Sequence, residues 1–214
     1  EGYYVDAGPS APLVIIVHDW DGLTDYEIRR ATMLFERGYS VFALDMYGKG
    51  VRPTETADKR AMTSAMYNDR PRMRRYLNAG LAEAKRLGGD ARNAVAMGYC
   101  FGGTCVLQWA RSGAALRGFV AFHGGLETPK GQTYAHALGP ILVFHGTADT
   151  HITMDHFAQL ANQLEEHSVD HEMITYGGAP HAFTVFGSDR YREGPDRKSW
   201  RRFTTFLDET LRRH

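Results

Sequence analysis

Six short apolar, β-branched runs recur along this chain, at residues 13–18, 40–45, 94–99, 118–123, 141–145 and 171–176. None alternates strictly between apolar and polar residues, so none reads as a strand with one face in water. Strands covered on both faces give this pattern, and they belong to mostly parallel sheets packed between helices. The segments between the runs carry helix punctuation. Thr24 and Glu27 have capping-box spacing ahead of Ile28, Ala31, Leu34 and Phe35, and Gly38 stops that helix. Thr153 can cap a helix whose apolar stripe is Phe157, Leu160, Ala161 and Leu164. A last helix follows Pro195 and buries Trp200, Phe203, Leu207 and Leu211. The stretch 48–68 is the least periodic, and a long loop or excursion is expected there. With no repeat, low-complexity tract or linker, the alternation predicts a single α/β domain over 1–214. Its expected architecture is a mostly parallel, doubly wound sheet with helices on both faces. Ligands of such a sheet bind beyond the carboxyl ends of its strands.

Charge adds little about partners. Lys+Arg and Asp+Glu number 25 each, for a formal charge of zero, which gives no global reason to hold nucleic acid or an anionic membrane. The basic residues are mostly arginine, and two clusters stand out. One runs from Lys59 to Arg75 through Arg70, Arg72 and Arg74; the other holds Arg197, Lys198, Arg201, Arg202, Arg212 and Arg213. Both fit solvated helix faces, and the first is the better candidate for touching an anionic substrate. Hydrophobic residues, at 43%, suffice for a sizeable core. No apolar run approaches the ~20 residues that span a bilayer, and no signal-peptide pattern occurs. Cys100 and Cys105, five apart on one helix, would point to different sides, so no disulfide is expected. A cytoplasmic location is favoured on these grounds. The start at Glu1 rather than methionine leaves a processed secreted or periplasmic form open, and monomer and dimer are both compatible with the sequence.

The chemistry concentrates at Gly98-Tyr99-Cys100-Phe101-Gly102, between a predicted strand and a helix-compatible stretch. This is the G-x-S-x-G nucleophile turn with cysteine in the serine position. A turn this tight needs glycine two before and two after the nucleophile, and it sets the thiol at a helix N-terminus, where the dipole favours thiolate. A glycine-rich turn holding a merely structural cysteine would look the same in isolation. The order of partners favours catalysis. Asp149 follows one strand, in His145-Gly-Thr-Ala-Asp149, and His181 follows the next, in Gly177-Gly-Ala-Pro-His181. Nucleophile, acid and histidine thus come in the order such folds use. His18, His123 and His145 also end predicted strands and are candidates for pocket or hydrogen-bonding roles. No His-Glu-x-x-His or Cys-x-x-Cys spacing appears, no Lys-Ser/Thr follows Gly98–Gly103 as a phosphate loop requires, and neither a metal nor another cofactor is expected.

These motifs together resemble the dienelactone hydrolase family, the carboxymethylenebutenolidases and their relatives, within the α/β-hydrolase fold. The resemblance rests on Val14-Ile-Ile-Val-His18-Asp19-Trp20-Asp-Gly22, Asp45-Met-Tyr47-Gly48, Gly98-Tyr-Cys100-Phe-Gly102-Gly103, Phe122-His-Gly-Gly125, His145-Gly-Thr-Ala-Asp149 and His181-Ala-Phe183. It spans nearly the whole chain. It implies a Cys100–His181–Asp149 triad that cleaves a small ester or lactone through a thioester acyl-enzyme. It further implies that Asp19 modulates the resting thiol and that the backbone amides of Phe101 and Trp20 hold the oxyanion. Tyr47, His123 and Arg70 are the candidates for the substrate pocket. The chain departs from the family pattern twice: Asp19 stands where dienelactone-cleaving members have glutamate, and Val185 where they have a carboxylate-binding arginine. Dienelactone and a neutral or promiscuous small ester are therefore both expected substrates. A thioesterase or acyltransferase with the same triad, and a non-catalytic binding protein of the same fold, are the alternatives.

Overall fold

The computed structural model describes residues 1–211; Arg212 and Arg213 of the basic tail lie outside the described residues. The strands are β1 (Gly2–Val5), β2 (Pro12–Val17), β3 (Ser40–Leu44), β4 (Asp90–Tyr99), β5 (Gly118–Phe122), β6 (Ile141–Gly146) and β7 (His171–Tyr176). The helices are α1 (Asp25–Phe35), α2 (Thr56–Asn68), α3 (Arg70–Arg86), α4 (Phe101–Arg111), α5 (Met154–Glu166) and α6 (Glu193–Thr210). All strands join one sheet in the order β1-β3-β2-β4-β5-β6-β7. Only β1 runs antiparallel to its neighbour.

Each predicted run becomes a strand, and β2 illustrates why. Leu13, Ile15 and Val17 face one core, with Phe101, Trp109, Met73 and Leu77 from α3 and α4. Val14 and Ile16 face the other, with Ala31 and Leu34 of α1 and Phe203 and Leu207 of α6. Every residue of β2, β3 and β5 is buried, so polar alternation has no place in them. Thr24 and Glu27 do form the capping box of α1, and Thr153 caps α5. Glu27 goes further: its second carboxylate oxygen accepts the Asp19 amide at 3.2 Å, tying the loop after β2 to the first turn of α1.

Two elements differ from expectation. The strand β1 is an edge strand of four residues, too short to register as a run. The helix α2 occupies 56–68, where a loop is expected, because it buries only Thr63 and Met66 and so lacks an apolar stripe. It ends at Asp69, whose carboxylate accepts the Arg72 amide at 2.9 Å and starts α3. The last helix begins at Glu193, which puts Pro195 in its first turn, where a missing amide costs nothing.

Strand register levels the carboxyl ends. Val17 pairs with Gly98, Gly98 with Ala121, and Phe122 with both Tyr99 and Phe144. The loops that follow β2, β4, β5 and β6 therefore open on one side of the sheet. At the central one, backbone meets backbone. A Cβ on Gly102 would lie 2.1 Å from the Val17 carbonyl oxygen, and one on Gly98 would lie 2.2 Å from the Gly102 carbonyl carbon. Neither neighbour is a flexible side chain that could move aside. Gly102→Ala is expected to lower the unfolding free energy by about 3 kcal/mol or more, measured by urea denaturation. An unchanged midpoint would contradict this packing.

Candidate active site

Cys100 is the hinge of that turn. Its φ of +48° and ψ of −109° lie in a region that non-glycine residues seldom adopt, at a cost of order 1–3 kcal/mol. The strain is held by the Cys100 amide donating to the Phe122 carbonyl at 3.0 Å and by α4, which is buried along its whole length. The conformation turns the side chain out of the sheet and into a cavity of about 430 Å³.

His181 reaches the same point from the loop after β7. Its Nε2 lies 3.1 Å from Cys100 Sγ, and its Nδ1 lies 2.6 Å from Asp149 Oδ2. An ionised carboxylate can only accept, so Nδ1 carries the proton and Nε2 is free to take one from the thiol. Asp149 is fixed by the loop after β6: its Oδ1 accepts the amides of His151 and Ile152, both at 2.9 Å. Burial opposes its charge, but the bond to His181 and these amides prevail and hold its carboxyl down at about 2. Asp149 is thus an anion across the whole working pH range.

Asp19 approaches from the opposite side. Burial, reinforced by the charge of Asp21, pushes its carboxyl up to about 6. One of its oxygens accepts the Trp20 amide at 2.5 Å, and the carboxyl also lies within hydrogen-bonding reach of the Cys100 thiol. Burial, and then Asp19, push that thiol well above its ordinary value, whereas the Phe101 amide, aimed at the sulfur, pulls the other way. The Trp20 amide is therefore occupied by Asp19, while the Phe101 amide faces the Cys100 sulfur.

Of the residues expected in the substrate pocket, none lines this cavity. Tyr47 donates its hydroxyl to the Trp20 carbonyl at 3.1 Å and borders a separate groove of about 450 Å³ between β3 and α3. His123 is fully buried behind His181, their ring centroids 5.5 Å apart. Arg70 is turned back over the Tyr67 ring at 4.8 Å, next to Arg111 and Cys105. The cavity wall instead carries Trp20, Arg60, Tyr67, His151 and Arg190. Arg60 belongs to the basic cluster singled out for an anionic substrate. Tyr67 sits on α2, whose weak periodicity hid it, and nothing in the sequence around Arg190 marks it. The other strand-end histidines do not line the cavity either. His18 donates Nδ1–H to the Asp19 carbonyl at 2.5 Å and accepts the Met46 amide at 3.0 Å, and burial lowers it to about 4. His145 stacks on Phe157. Among the described residues no group of three or more His, Cys, Asp or Glu could hold a metal ion, and no helix is long and apolar enough to cross a membrane.

A parallel sheet with one antiparallel edge, a strained, glycine-flanked turn after its central strand, and an acid and a histidine after later strands define the α/β-hydrolase fold. The family model for the dienelactone hydrolase family matches residues 2–211, and the chain belongs to that family. A Bradyrhizobium protein named for 2-oxo-3-(5-oxofuran-2-ylidene)propanoate lactonase activity is 27% identical over 213 residues, covering 92% of this chain and 83% of its own. A Salmonella typhimurium relative, named for carboxymethylenebutenolidase activity, is 25% identical over 89% of this chain and 74% of its own. Among solved structures, a dienelactone hydrolase-like promiscuous phosphotriesterase from metagenomic libraries aligns with a TM-score of 0.89. It is 26% identical over 99% of this chain and 92% of its own. Esterase 2 of Thermogutta terrifontis, 20% identical with a TM-score of 0.67, covers 97% of this chain and 88% of its own and shares the fold.

The contact between Asp19 and the thiol yields a test. Above about pH 6 Asp19 is an anion beside Cys100 and opposes a second negative charge there. Asp19→Asn removes that charge, and the thiol pKa is expected to fall by about one unit or more. The pH dependence of iodoacetamide alkylation reads this directly; an unchanged midpoint would remove Asp19 from control of the thiol.

Proposed function

We propose that the chain hydrolyses small carboxylic esters or lactones with Cys100 as nucleophile, His181 as general base and acid, and Asp149 as the group that orients and charges His181. The reading is supported above all by one observation: His181 bridges Cys100 at 3.1 Å and Asp149 at 2.6 Å on the edge of an open cavity. A thiol pushed up by burial and by Asp19 does not ionise alone, so the proton must leave as the bond forms. Substrate displaces the Asp19 carboxyl from the Trp20 amide and from the sulfur. Cys100 Sγ then attacks the carbonyl carbon, and the thiol proton passes to His181 Nε2. The resulting imidazolium is stabilised by the ionised Asp149.

The negative charge moves to the carbonyl oxygen, where the amides of Phe101 and Trp20 are the available donors, each worth roughly 3 kcal/mol in comparable acyl transfers. Collapse breaks the bond to the leaving oxygen, which takes the proton from His181, and a thioester to Cys100 remains. Water then gives a proton to His181 and attacks the thioester. Expulsion of the sulfur, reprotonated by His181, releases the acid and restores the enzyme.

The guanidinium groups of Arg60 and Arg190 on the wall favour a substrate that carries a carboxylate, although both side chains are exposed and their attraction is screened. Hydrolysis of p-nitrophenyl acetate and of dienelactone by the wild type and by Cys100→Ala tests the assignment. The wild type is expected to turn over both, with the higher kcat/KM for the anionic lactone. The variant is expected to lose about 10³-fold or more on each. A variant with wild-type rates would overturn the cysteine assignment.

A further inference from the structure

The loop that carries His181 has a strained backbone of its own. Ala182, the next residue, has a φ of +60°, and residues 177–192 contain no strand or helix before Arg192. A strained residue persists only where its surroundings over-determine it. Bonds within the loop are short-range turns, among them the Val185 amide to the Ala182 carbonyl at 3.1 Å and the Tyr191 amide to the Ser188 carbonyl at 3.1 Å, and the Arg192 amide closes it on the Phe183 carbonyl at 2.9 Å. Asp149 holds the imidazole itself, and just past His181 the residue Thr184 ties the loop to the body of the protein through three polar contacts. Its carbonyl accepts Arg30 Nη2 at 2.9 Å. Its hydroxyl lies 2.8 Å from the Tyr26 hydroxyl and 2.8 Å from His123 Nε2. His123 in turn meets the His181 ring edge-on at 5.5 Å.

We propose that Thr184 is a positioning residue for the proposed hydrolysis, clamping the His181 turn to α1 and to His123 so that the His181 imidazole stays within reach of Cys100. This rests on the triad reading and extends it to a group that touches neither substrate nor the reacting atoms.

Arg30, Thr184 and His123 are all buried, so their bonds are shielded from water and the geometry is defined. Arg30 is itself anchored: its guanidinium pairs with the Asp196 carboxylate at the start of α6 and lies over the rings of Tyr26, Phe186 and Trp200. Arg30 Nε donates to the Tyr26 oxygen at 3.3 Å, tying the hydroxyl chain to the same guanidinium. Burial disfavours the charged form of His123, so its ring is neutral. A neutral ring is what His181 needs behind it at the moment it accepts the thiol proton, since a second imidazolium there would oppose that step.

The test is steady-state ester hydrolysis by Thr184→Val, which keeps the shape and removes the hydroxyl, and by Thr184→Ser, which restores it. Cys100→Ala is run in parallel, and thermal unfolding of each variant fixes an assay temperature at which all are folded. The valine variant is expected to lose about 10- to 100-fold in kcat with KM unchanged, as a misplaced catalytic group does, and the serine variant to recover most of it. Tyr26→Phe breaks the same chain from α1 without altering the loop, and the same split in smaller measure is expected. The proton spectrum supplies a readout apart from turnover. The low-field Nδ1–H signal of His181, held by Asp149 in the wild type, should broaden or shift in Thr184→Val and return in Thr184→Ser. Folded valine and phenylalanine variants with wild-type kcat and an unmoved signal would overturn the positioning role. Wild-type activity in Cys100→Ala would instead overturn the triad reading on which it rests.

Discussion

The close approach of main chain to main chain between the turn after β4 and the end of β2 is the constraint on which the rest depends. Gly98, Gly102 and Gly103 let α4 begin against Val17 and Gly124 with no side chain between them. That proximity forces Cys100 into its left-handed conformation and lifts its thiol clear of the sheet. It also aims the first amide of α4, that of Phe101, at the sulfur. Were the turn looser, α4 would ride higher, and neither the Cys100 thiol nor the Phe101 amide would face the cavity.

Around that fixed point the remaining groups come from loops, each braced differently. Asp149 is held by two amides of its own loop, a local solution that needs nothing from distant elements. Asp19 is held by register and by Glu27, whose carboxylate spans the Asp19 amide and the start of α1. His181 is held by Asp149, and its loop is tied to α1 and α6 through buried polar contacts. The mobility a loop histidine would otherwise have is countered by groups far away in sequence. The two helices on that face of the sheet therefore serve both as core and as scaffold for chemistry.

The parts legible in the sequence share one property: a short stretch of chain dictates them. Buried parallel strands declare themselves as unalternating apolar runs, the capping box at Thr24 and Glu27 as a spacing, and the nucleophile turn as glycines in fixed places. The order of Cys100, Asp149 and His181 was likewise readable because each falls where a strand has just ended. What escaped depends on tertiary placement. The helix α2 buries too little to write a stripe, so Tyr67 and the side of the cavity it forms went unseen. Within the basic cluster the expected Arg70 begins α3 and turns over Tyr67, whereas Arg60 on α2 reaches the cavity, a difference set by how the two helices pack. Tyr47 and His123 occupy the right neighbourhood, but Tyr47 faces a separate groove and His123 is buried behind His181, a distinction that only packing makes.

The account centres on a covalent bond to Cys100, and intact-mass spectrometry of the protein quenched in acid during turnover of p-nitrophenyl acetate interrogates that bond. The account predicts one added acetyl group, mapped by peptide digestion to Cys100 and released by neutral hydroxylamine as a thioester is. Steady turnover with no acetylated protein at any quench time under conditions where acylation is the faster step, or with the acetyl group on another residue, would contradict it.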